Sequence, residues 1–252
     1  MTTGVLIFAH NNEVTDYVSM AQWSAKNIQR HLGLPTHIVT GSVSTSNKRY
    51  FSDYQSTVTW HNETRPSAYD LTPWDQTIVL DADYVVASDA LKCLINSPVD
   101  FLAHHRAYDV TGLNDFENLN YFGKYRMPMT WATVMIFRRS KTAELVFKMM
   151  SMVKNNWQHY RNLYQNNLVA YRNDHALSIA LNVVYGHVLD YPLIPWALAT
   201  VTPDHQLTRV GKDNYRVQYL TADGKSRWIS LENHDFHAMG KKQLGDIVAS
   251  DC

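Results

Sequence analysis

The sequence predicts an α/β fold in which helices flank a mixed, mainly parallel β-sheet and a β-hairpin lies toward the C-terminus. Three patterns indicate this class. A strand, an amphipathic helix and a second strand follow one another at the N-terminus, an order that implies parallel pairing through a crossover connection. An apolar strand pattern covers residues 77–86, and two strand-like segments late in the chain flank a turn signal.

The N-terminal unit covers residues 4–40. Residues 4–9 form a short apolar strand, which the polar loop His10-Asn11-Asn12 follows. The next helix is predicted from apolar residues spaced three and four apart: Val14, Val18, Ala21, Ala25, Ile28 and Leu32. A glycine and a proline end this helix, and residues 36–40 return to a strand pattern. The unit has no Gly-x-Gly-x-x-Gly motif, so a classical dinucleotide-binding fold is disfavoured.

Later elements are predicted from caps and turns. Ser140 is a candidate N-cap for a helix with one apolar face. Asp174 opens a further helix that Gly186 closes. Residues 215–220 and 227–231 flank Thr-Ala-Asp-Gly-Lys, a hairpin signal. Because no linker or repeat interrupts the chain, we expect a single domain over residues 1–252, with one half at 1–100 and the other at 101–252.

Charge and cysteine content limit the classes of function. The 23 basic residues equal the 23 acidic ones, so no overall field favours nucleic acid or an anionic membrane. Cys93 and Cys252 are the two cysteines, which argues against a disulfide framework and for a reducing compartment. The N-terminal segment has neither a basic leader nor an apolar stretch long enough to span a bilayer. We therefore expect a soluble, cytoplasmic protein.

The most informative motif is Asp81-Ala82-Asp83 at the end of a buried strand pattern. Side chains two apart on an extended chain point to the same side, so both carboxylates can converge on one cation. Hard oxygen ligands suit Mg²⁺ or Mn²⁺, ions that commonly also hold phosphate. Ligands of α/β folds bind outside the carboxyl ends of strands, which is where this pair lies. The alternative is that either aspartate is a turn residue or a helix cap.

Together with the N-terminal unit and a late His-x-x-Gly segment at His237 and Gly240, this motif resembles GT-A fold glycosyltransferases, with the family 8-like group as the nearest pattern. The resemblance implies a Rossmann-like GT-A domain in which Asp81, Asp83 and His237 hold Mn²⁺, or Mg²⁺, against the diphosphate of a UDP-sugar. Lys241 and Lys242 come earlier than the lysine of that family, so the resemblance leaves open which of them meets the diphosphate.

The chain also resembles small glycosyltransferases of large tailed phages, some of which modify hydroxymethylated pyrimidines in DNA. This resemblance implies hydroxymethylated DNA as the acceptor and the host cytoplasm as the location. Neutral net charge instead favours a saccharide or another small molecule as the acceptor, so these alternatives stay open. Basic residues that can supply phosphate contacts, or simply be solvated, are Lys124, Arg126, Arg138, Arg139 and Lys141.

The resemblance also implies roles for residues outside the aspartate pair. Asp174 is expected to face the sugar and acceptor, although its place before an apolar helix is equally explained by capping. Arg65 is expected to contact the donor phosphates or sugar, although it can pair with any acid. Asn11, Asn12 and Asp53 are candidates for nucleoside recognition, with turn chemistry as the alternative.

Acceptor-side residues are less well defined by the sequence. His104, His105, Tyr121 and Trp131 are candidates, and core packing is the alternative for the aromatic ones. The polar and aromatic stretch 108–129 is long for a loop, so we expect a lid or an acceptor-binding segment. His234 is a further possible ligand, or an ordinary surface histidine.

The expected reaction is transfer of a sugar to an acceptor hydroxyl, with retention of configuration suggested by the family 8-like histidine. Two other functions compete. A nucleotidyltransferase would share the first half of the fold but usually carries a glycine-rich basic loop where this chain has His-Asn-Asn. A carbohydrate-binding module without catalysis would explain the aromatic content and the aspartate pair, and it would ignore nucleotides.

Overall fold

The computed structural model describes residues 1–40, 53–56, 62–167, 169–186 and 193–251, with backbone alone for 53–56 and 62–64. The described strands are β1 Thr3–Phe8, β2 Thr36–Thr40, β3 Asp53–Ser56, β4 Gln76–Asp81, β5 Tyr84–Val85, β6 Phe101–His104, β7 Ala107–Asp109, β8 Tyr121–Phe122, β9 Met127–Pro128, β10 Trp131–Arg138, β11 Leu198–Val201, β12 Gln206–Gly211, β13 Asn214–Leu220, β14 Ser226–Glu232 and β15 Phe236–Ala238. The described α-helices are α1 Tyr17–Leu32, α2 Ala68–Leu71, α3 Lys141–Asn155, α4 Trp157–Leu163, α5 Asn173–Val184 and α6 Lys241–Ser250. Short 3₁₀ helices occupy Asn62–Ser67, Ala90–Leu94 and Asn118–Asn120.

The central sheet has six strands in the order β3-β2-β1-β4-β10-β6. Strand β1 pairs in parallel with β2 and β4, and β2 pairs in parallel with β3. Strand β10 is antiparallel to both of its neighbours, β4 and β6. The predicted fold class, a mixed and mainly parallel sheet with helices against it, is confirmed, and so is the parallel pairing of the N-terminal unit.

Both faces of the central sheet are buried, because alternate residues of its strands enter two different apolar clusters. Val5 and Ile7 of β1 face the cluster that includes α1 and α6. Leu6 and Phe8 face the cluster that includes α3 and α5. A strand buried on both faces is continuously apolar, which is why β1 and β4 were recognisable in the sequence.

Helix α3 begins after its predicted cap, whereas α1 begins later than its apolar pattern predicted. Helix α1 begins at Tyr17, after Asp16, whose carboxylate accepts a hydrogen bond from the Ser19 N–H at 3.0 Å. Val14 precedes the helix and is 91% exposed, so the predicted apolar face starts one turn later. Helix α3 begins after Ser140, whose hydroxyl oxygen accepts from the Ala143 N–H at 3.1 Å, as predicted.

A second sheet, in the order β5-β15-β11-β7, lies beside the first. Strand β5 follows the aspartate pair directly, and it pairs antiparallel with β15 so that Tyr84 lies opposite His237. The Ala238 N–H also donates to the Asp83 carbonyl oxygen at 3.0 Å. This register brings the late histidine segment beside the end of β4.

The C-terminal hairpin is confirmed and carries a third strand, since β12, β13 and β14 form an antiparallel sheet. Helix α6 then returns to the N-terminal half, where the Trp23 Nε1–H donates to the carboxylate of Asp251 at 2.8 Å. In the described parts of the chain no helix combines the length and the apolar character needed to cross a bilayer.

Stretch 108–129 contains short ordered elements where the sequence predicted a long loop. It includes the end of β7, a 3₁₀ turn and the hairpin of β8 and β9. Asn120 anchors it, because its buried side-chain oxygen accepts from the Ala107 N–H at 3.0 Å. Phe116 and Phe122 add apolar burial, so much of this segment packs against the rest of the protein.

We expect replacement of Phe137 by alanine to lower the free energy of unfolding by about 3–5 kcal/mol, the usual cost of emptying a packed aromatic site. Phe137 is fully buried, and its ring centroid lies 4.8 Å from that of Phe147. Urea unfolding measures the change. Leu145→Ala is the control, since this α3 leucine is 54% exposed and should change stability by less than about 0.5 kcal/mol. Equal midpoints for both variants would contradict this account of the core.

Candidate functional site

Two aspartates lie at the carboxyl edge of the parallel strands. Asp81 is the last residue of β4 and pairs in register with Phe8, the last residue of β1. Asp83 follows in the turn that leads to β5, and its side chain is buried. The two carboxylates therefore lie where an open parallel sheet presents ligands, as the sequence predicted.

His237 of β15 completes a group of three potential ligands. Its Nε2 lies 3.3 Å from Asp83 Oδ2, and one ligand atom from each of Asp81, Asp83 and His237 falls within 4.8 Å of the others. Two carboxylates and one imidazole are a donor set that Mn²⁺ accepts, and the carboxylates also suit Mg²⁺. Nε2 is thus the ring nitrogen that lies beside the carboxylates, whereas Nδ1 is buried and has no hydrogen-bond partner among the described residues. The residues present fit a divalent cation.

Two basic side chains already contact these carboxylates. Arg65 forms an ion pair with Asp81, and its second terminal nitrogen donates to the Ala132 carbonyl oxygen at 2.6 Å. Lys241, the first residue of α6, forms an ion pair with Asp83. Each buried or partly buried carboxylate thus has a cationic partner, as its desolvation requires. A metal ion bound here would share Asp83 with Lys241 or would displace Lys241 from Asp83.

The ionisation of the site reflects burial opposed by these charges. Burial acts to raise the pKa of Asp81, but Arg65, His237 and Lys241 outweigh it and hold that pKa below its ordinary value. Burial lowers the pKa of Lys241 to about 8, against the attraction of Asp81. Burial also lowers the pKa of His237, although Asp81 and Asp174 favour its charged form. A neutral imidazole is the form that binds a metal.

Asp174 lies in the same cavity, on the first turn of α5. The sequence allowed it to be an N-cap, but Arg172 occupies that position, and one Asp174 carboxylate oxygen accepts from the Ala132 N–H at 2.9 Å. The other oxygen accepts from the Arg172 guanidinium at 2.8 Å. Ala132 thereby connects Asp174 to Arg65, since its N–H contacts one and its carbonyl oxygen the other.

The cavity around these groups has a volume of about 350 Å³, within the range of small-molecule sites. It is lined by Phe8, His10, Tyr17, Arg65, Asp81, Ala82, Asp83, Trp131, Ala132, Thr133, Tyr171, Arg172, Asn173, Asp174, His237, Met239 and Lys241. Six residues that the sequence singled out for donor, metal or catalytic roles thus meet in one cavity: Arg65, Asp81, Asp83, Asp174, His237 and Lys241.

Other predicted donor residues lie elsewhere. Lys242 is exposed and outside the cavity lining. Asn11 and Asn12 are exposed, and their side-chain oxygens accept from the backbone N–H groups of Val18 at 2.8 Å and of Thr15 at 2.8 Å. The Asn12 contact is the turn chemistry that the sequence left open, whereas the Asn11 contact pairs an N–H of the first turn of α1. The backbone of Asp53 pairs with β2, and its side chain lies outside the described residues.

Of the acceptor-side candidates, one lines the cavity and the others lie outside it. Trp131 lines the cavity, and Tyr121 lies outside it, under the Arg126 guanidinium at 4.4 Å from the ring centroid. His105 is partly buried, and its Nδ1 lies 3.0 Å from the Met129 carbonyl oxygen. His104 is fully buried. His234 is exposed and does not line the cavity.

Sequence reasoning missed several cavity residues. Tyr17 begins α1, and burial together with the charge of Asp81 raises its pKa. Tyr171, Arg172 and Asn173 immediately precede Asp174 and line the cavity with it. The proximity of Arg172 to a candidate carboxylate was the available signal, since a cation two residues before an acid at a helix start can pair with it.

No protein-family model matches the sequence, and no curated protein matches it. Several solved structures are similar at low identity. The glycosyltransferase GlyE of Streptococcus pneumoniae TIGR4 has 13% identity and a TM-score of 0.47, with 77% of this chain and 46% of that chain covered. The galactosyltransferase LgtC, in complex with donor and acceptor sugar analogs, has 13% identity and a TM-score of 0.48, covering 75% of this chain and 72% of that one.

A further similar structure is the mannosyltransferase PcManGT from Pyrobaculum calidifontis in complex with GDP-Man and Mn²⁺, with 11% identity, a TM-score of 0.43, and 77% of this chain and 54% of that chain covered. This chain spans less than half the length of the GlyE chain. Identities and TM-scores at this level establish neither a family nor a substrate.

We expect the buried His104 to make the protein less stable in mild acid. Its Nδ1 donates to the Trp196 carbonyl oxygen at 3.0 Å, but burial dominates and lowers its pKa to about 4. The unfolded chain, with a histidine pKa of about 6.5, therefore takes up this proton first as the pH falls. Stability from this group then declines by about 1.4 kcal/mol for each pH unit between those two values.

Urea unfolding of the wild type and of His104→Asn at about pH 7 and about pH 5 isolates this contribution, because other titrating groups are common to both proteins. The variant should lose less stability over the interval. Equal losses would show that His104 takes up no extra proton on unfolding.

Proposed function

We propose that this protein is a metal-dependent GT-A glycosyltransferase that moves a sugar from a nucleoside-diphosphate sugar, with UDP-sugar as the expected donor, to an acceptor hydroxyl. One observation carries the proposal. Asp81, Asp83 and His237 come from distant parts of the chain and meet at the carboxyl edge of the parallel strands, beside Arg65 and Lys241. Such a set can bind a divalent cation and a diphosphate together.

The roles of these residues follow from the negative charge of the leaving diphosphate. Asp81, Asp83 and His237 would hold Mn²⁺ or Mg²⁺, which supplies positive charge to neutralise the diphosphate. Arg65 contacts Asp81 and Lys241 contacts Asp83, so both lie beside this group and can offer N–H donors to phosphate oxygens. Because they are pre-positioned in a partly buried cavity, they act where negative charge develops.

The chemical step breaks the bond between the anomeric carbon and the diphosphate oxygen, and the electron pair goes to the diphosphate. The acceptor oxygen forms the new bond to that carbon and loses its proton. With retention, the departing diphosphate takes the proton and the Asp174 carboxylate stabilises positive character on the sugar. With inversion, Asp174 takes the proton as general base. Retention is the course that the histidine segment favours.

The acceptor is either a saccharide or a hydroxymethylated pyrimidine in DNA. A nucleotidyltransferase is less well supported, because the loop after β1 contributes a histidine to the cavity and no glycine-rich basic segment. A carbohydrate-binding module would leave Arg65 and Lys241 without a diphosphate to bind. Nucleotide-sugar turnover with and without Mn²⁺ separates these functions, since a lectin-like module should bind saccharide alone.

Replacement of Asp83 by asparagine should reduce metal-dependent release of nucleoside diphosphate by at least about a hundredfold, because it removes a charged ligand. Release from a panel of nucleotide sugars, with Mn²⁺ and with a chelator, provides the measurement. Binding of Mn²⁺ alone, followed by electron paramagnetic resonance, is a second measurement that does not depend on turnover.

Asp223→Asn is the matched control, because Asp223 is an exposed hairpin residue paired with Lys225. Thermal unfolding identifies any loss of fold in Asp83→Asn, where Lys241 loses its anionic partner. A folded Asp83→Asn protein with wild-type turnover and Mn²⁺ affinity would remove the metal site from this proposal.

The two consecutive lysines provide a second test. We expect Lys241→Gln to raise the KM for the nucleotide sugar by roughly tenfold to a hundredfold, the usual loss for one hydrogen bond between charged groups. Lys242→Gln should have the smaller effect, because Lys242 is exposed and outside the cavity lining. The reverse order in steady-state kinetics would assign the diphosphate contact to Lys242.

A further inference from the structure

A second cavity adjoins the one that holds the aspartate pair. It has a volume of about 550 Å³, and Arg172 lines both cavities. The lining residues are Leu119, Tyr121, Phe122, Gly123, Lys124, Met129, Gln165, Asn166, Asn167, Arg172 and His175. A molecule in this second cavity would therefore lie against the residue that separates it from the first.

The second cavity is positively charged. Lys124 and Arg172 lie in its wall, and none of the described lining residues carries a carboxylate. One terminal nitrogen of Arg172 donates to Asp174, so the rest of its planar guanidinium can still bind an anion. Arg126 adds positive charge near the rim, because its guanidinium covers the Tyr121 ring.

The inner wall includes a neutral histidine held between two aromatic rings. His175 is buried, and its ring stacks on Phe122 with centroids 5.0 Å apart and on Trp157 with centroids 5.9 Å apart. The Asn166 side-chain nitrogen donates to His175 Nδ1 at 3.1 Å, which places the proton of the neutral ring on Nε2. Burial lowers the pKa of His175 to about 4, so the ring stays neutral near pH 7.

The outer wall is the hairpin of β8 and β9. Gly123 has φ +67°, and a Cβ at this position would lie 2.2 Å from the Tyr164 carbonyl oxygen, so only glycine fits. That same oxygen accepts from the Lys124 N–H at 3.2 Å. The hairpin therefore closes directly on the end of α4, and this contact fixes the backbone from which the Lys124 side chain extends.

We propose that the second cavity is the acceptor subsite and that it takes a saccharide bearing a carboxylate or phosphate group, an inference that rests on the proposed glycosyltransferase function. Two cations match one anionic group, and the exposed amides of Gln165 and Asn167 can bind hydroxyls. The Tyr121 ring supplies an amphipathic surface for a sugar ring. The volume suits one or two sugar rings, whereas a nucleic acid strand needs an extended basic groove.

Direct binding tests the charge requirement. Calorimetry with the full chain uses three probes: a uronic-acid disaccharide for the carboxylate, a hexose 6-phosphate for the phosphate, and maltose as the uncharged control. At least one anionic probe should bind roughly tenfold or more tightly than maltose, the usual effect of a hydrogen bond between charged groups. The stronger anionic probe identifies the charged group. Equal affinity for all three, or preference for maltose, would overturn the inference.

Variants then locate the binding. Lys124→Gln should lower the affinity for the preferred anionic probe by roughly tenfold, and Lys124→Arg should keep most of the wild-type affinity. Lys225→Gln, at an exposed position on the distant hairpin, should leave the affinity unchanged. An unaltered affinity in Lys124→Gln would place the probe elsewhere. A hydroxymethylated single-stranded oligonucleotide serves as a fourth probe, and tighter binding of it than of both anionic saccharides would assign the cavity to nucleic acid.

The donor reaction is measured separately. Hydrolysis of the nucleotide sugar, in which water takes the place of the acceptor and nucleoside diphosphate is released, reports on the first cavity alone. If that release is absent while Lys124-dependent binding of an anionic saccharide is present, the transferase proposal fails and the binding site stands. If release occurs and no anionic probe binds preferentially, the acceptor inference fails alone.

Discussion

The fold is constrained by the need to partner two carboxylates at the edge of a buried sheet. Asp81 and Asp83 leave water when β4 packs on both faces, and an unpaired buried charge costs several kcal/mol. Arg65 reaches Asp81 from the turn before α2, and Lys241 reaches Asp83 from the start of α6. The connection between β3 and β4 and the start of α6 are thus both held by the residues that form the site.

The second sheet makes this partnering possible. Strand β5 begins directly after Asp83, so its pairing with β15 fixes His237 relative to the aspartates. Strand β11 holds β15 on its other side, through parallel pairing of Thr200 with His237. The histidine therefore belongs to a paired strand with neighbours on both sides, which limits its movement when a ligand binds.

The elements that the sequence predicted correctly are those determined by local patterns. Strands β1 and β4, the N-terminal crossover and the cap at Ser140 depend on residues close together in the chain. The aspartate pair was recognisable because polar residues at the tip of an apolar strand are unusual. The role of Asp174 at its helix start was ambiguous, since capping and cavity contact favour the same residue type. The position of Arg172 at the N-cap and the contact of Asp174 with Ala132 distinguish the two roles.

What the sequence could not provide depends on geometry between distant segments. Consecutive positions on a helix differ by about 100° in direction, so Lys241 and Lys242 cannot face one cavity equally, and the phase of α6 decides between them. The second cavity forms between the β8 and β9 hairpin, the end of α4 and the start of α5, none of which carries a motif. Its charge was visible in the sequence only as scattered basic residues.

Arg172 belongs to the walls of both cavities while it is bonded to Asp174. An anion that recruits its guanidinium from one side alters the hydrogen bonds available to the carboxylate on the other side. The two compartments are then thermodynamically linked through a single side chain. Linkage is reciprocal: the factor by which a ligand in one compartment changes the affinity of the other equals the factor by which a ligand in the second changes the affinity of the first.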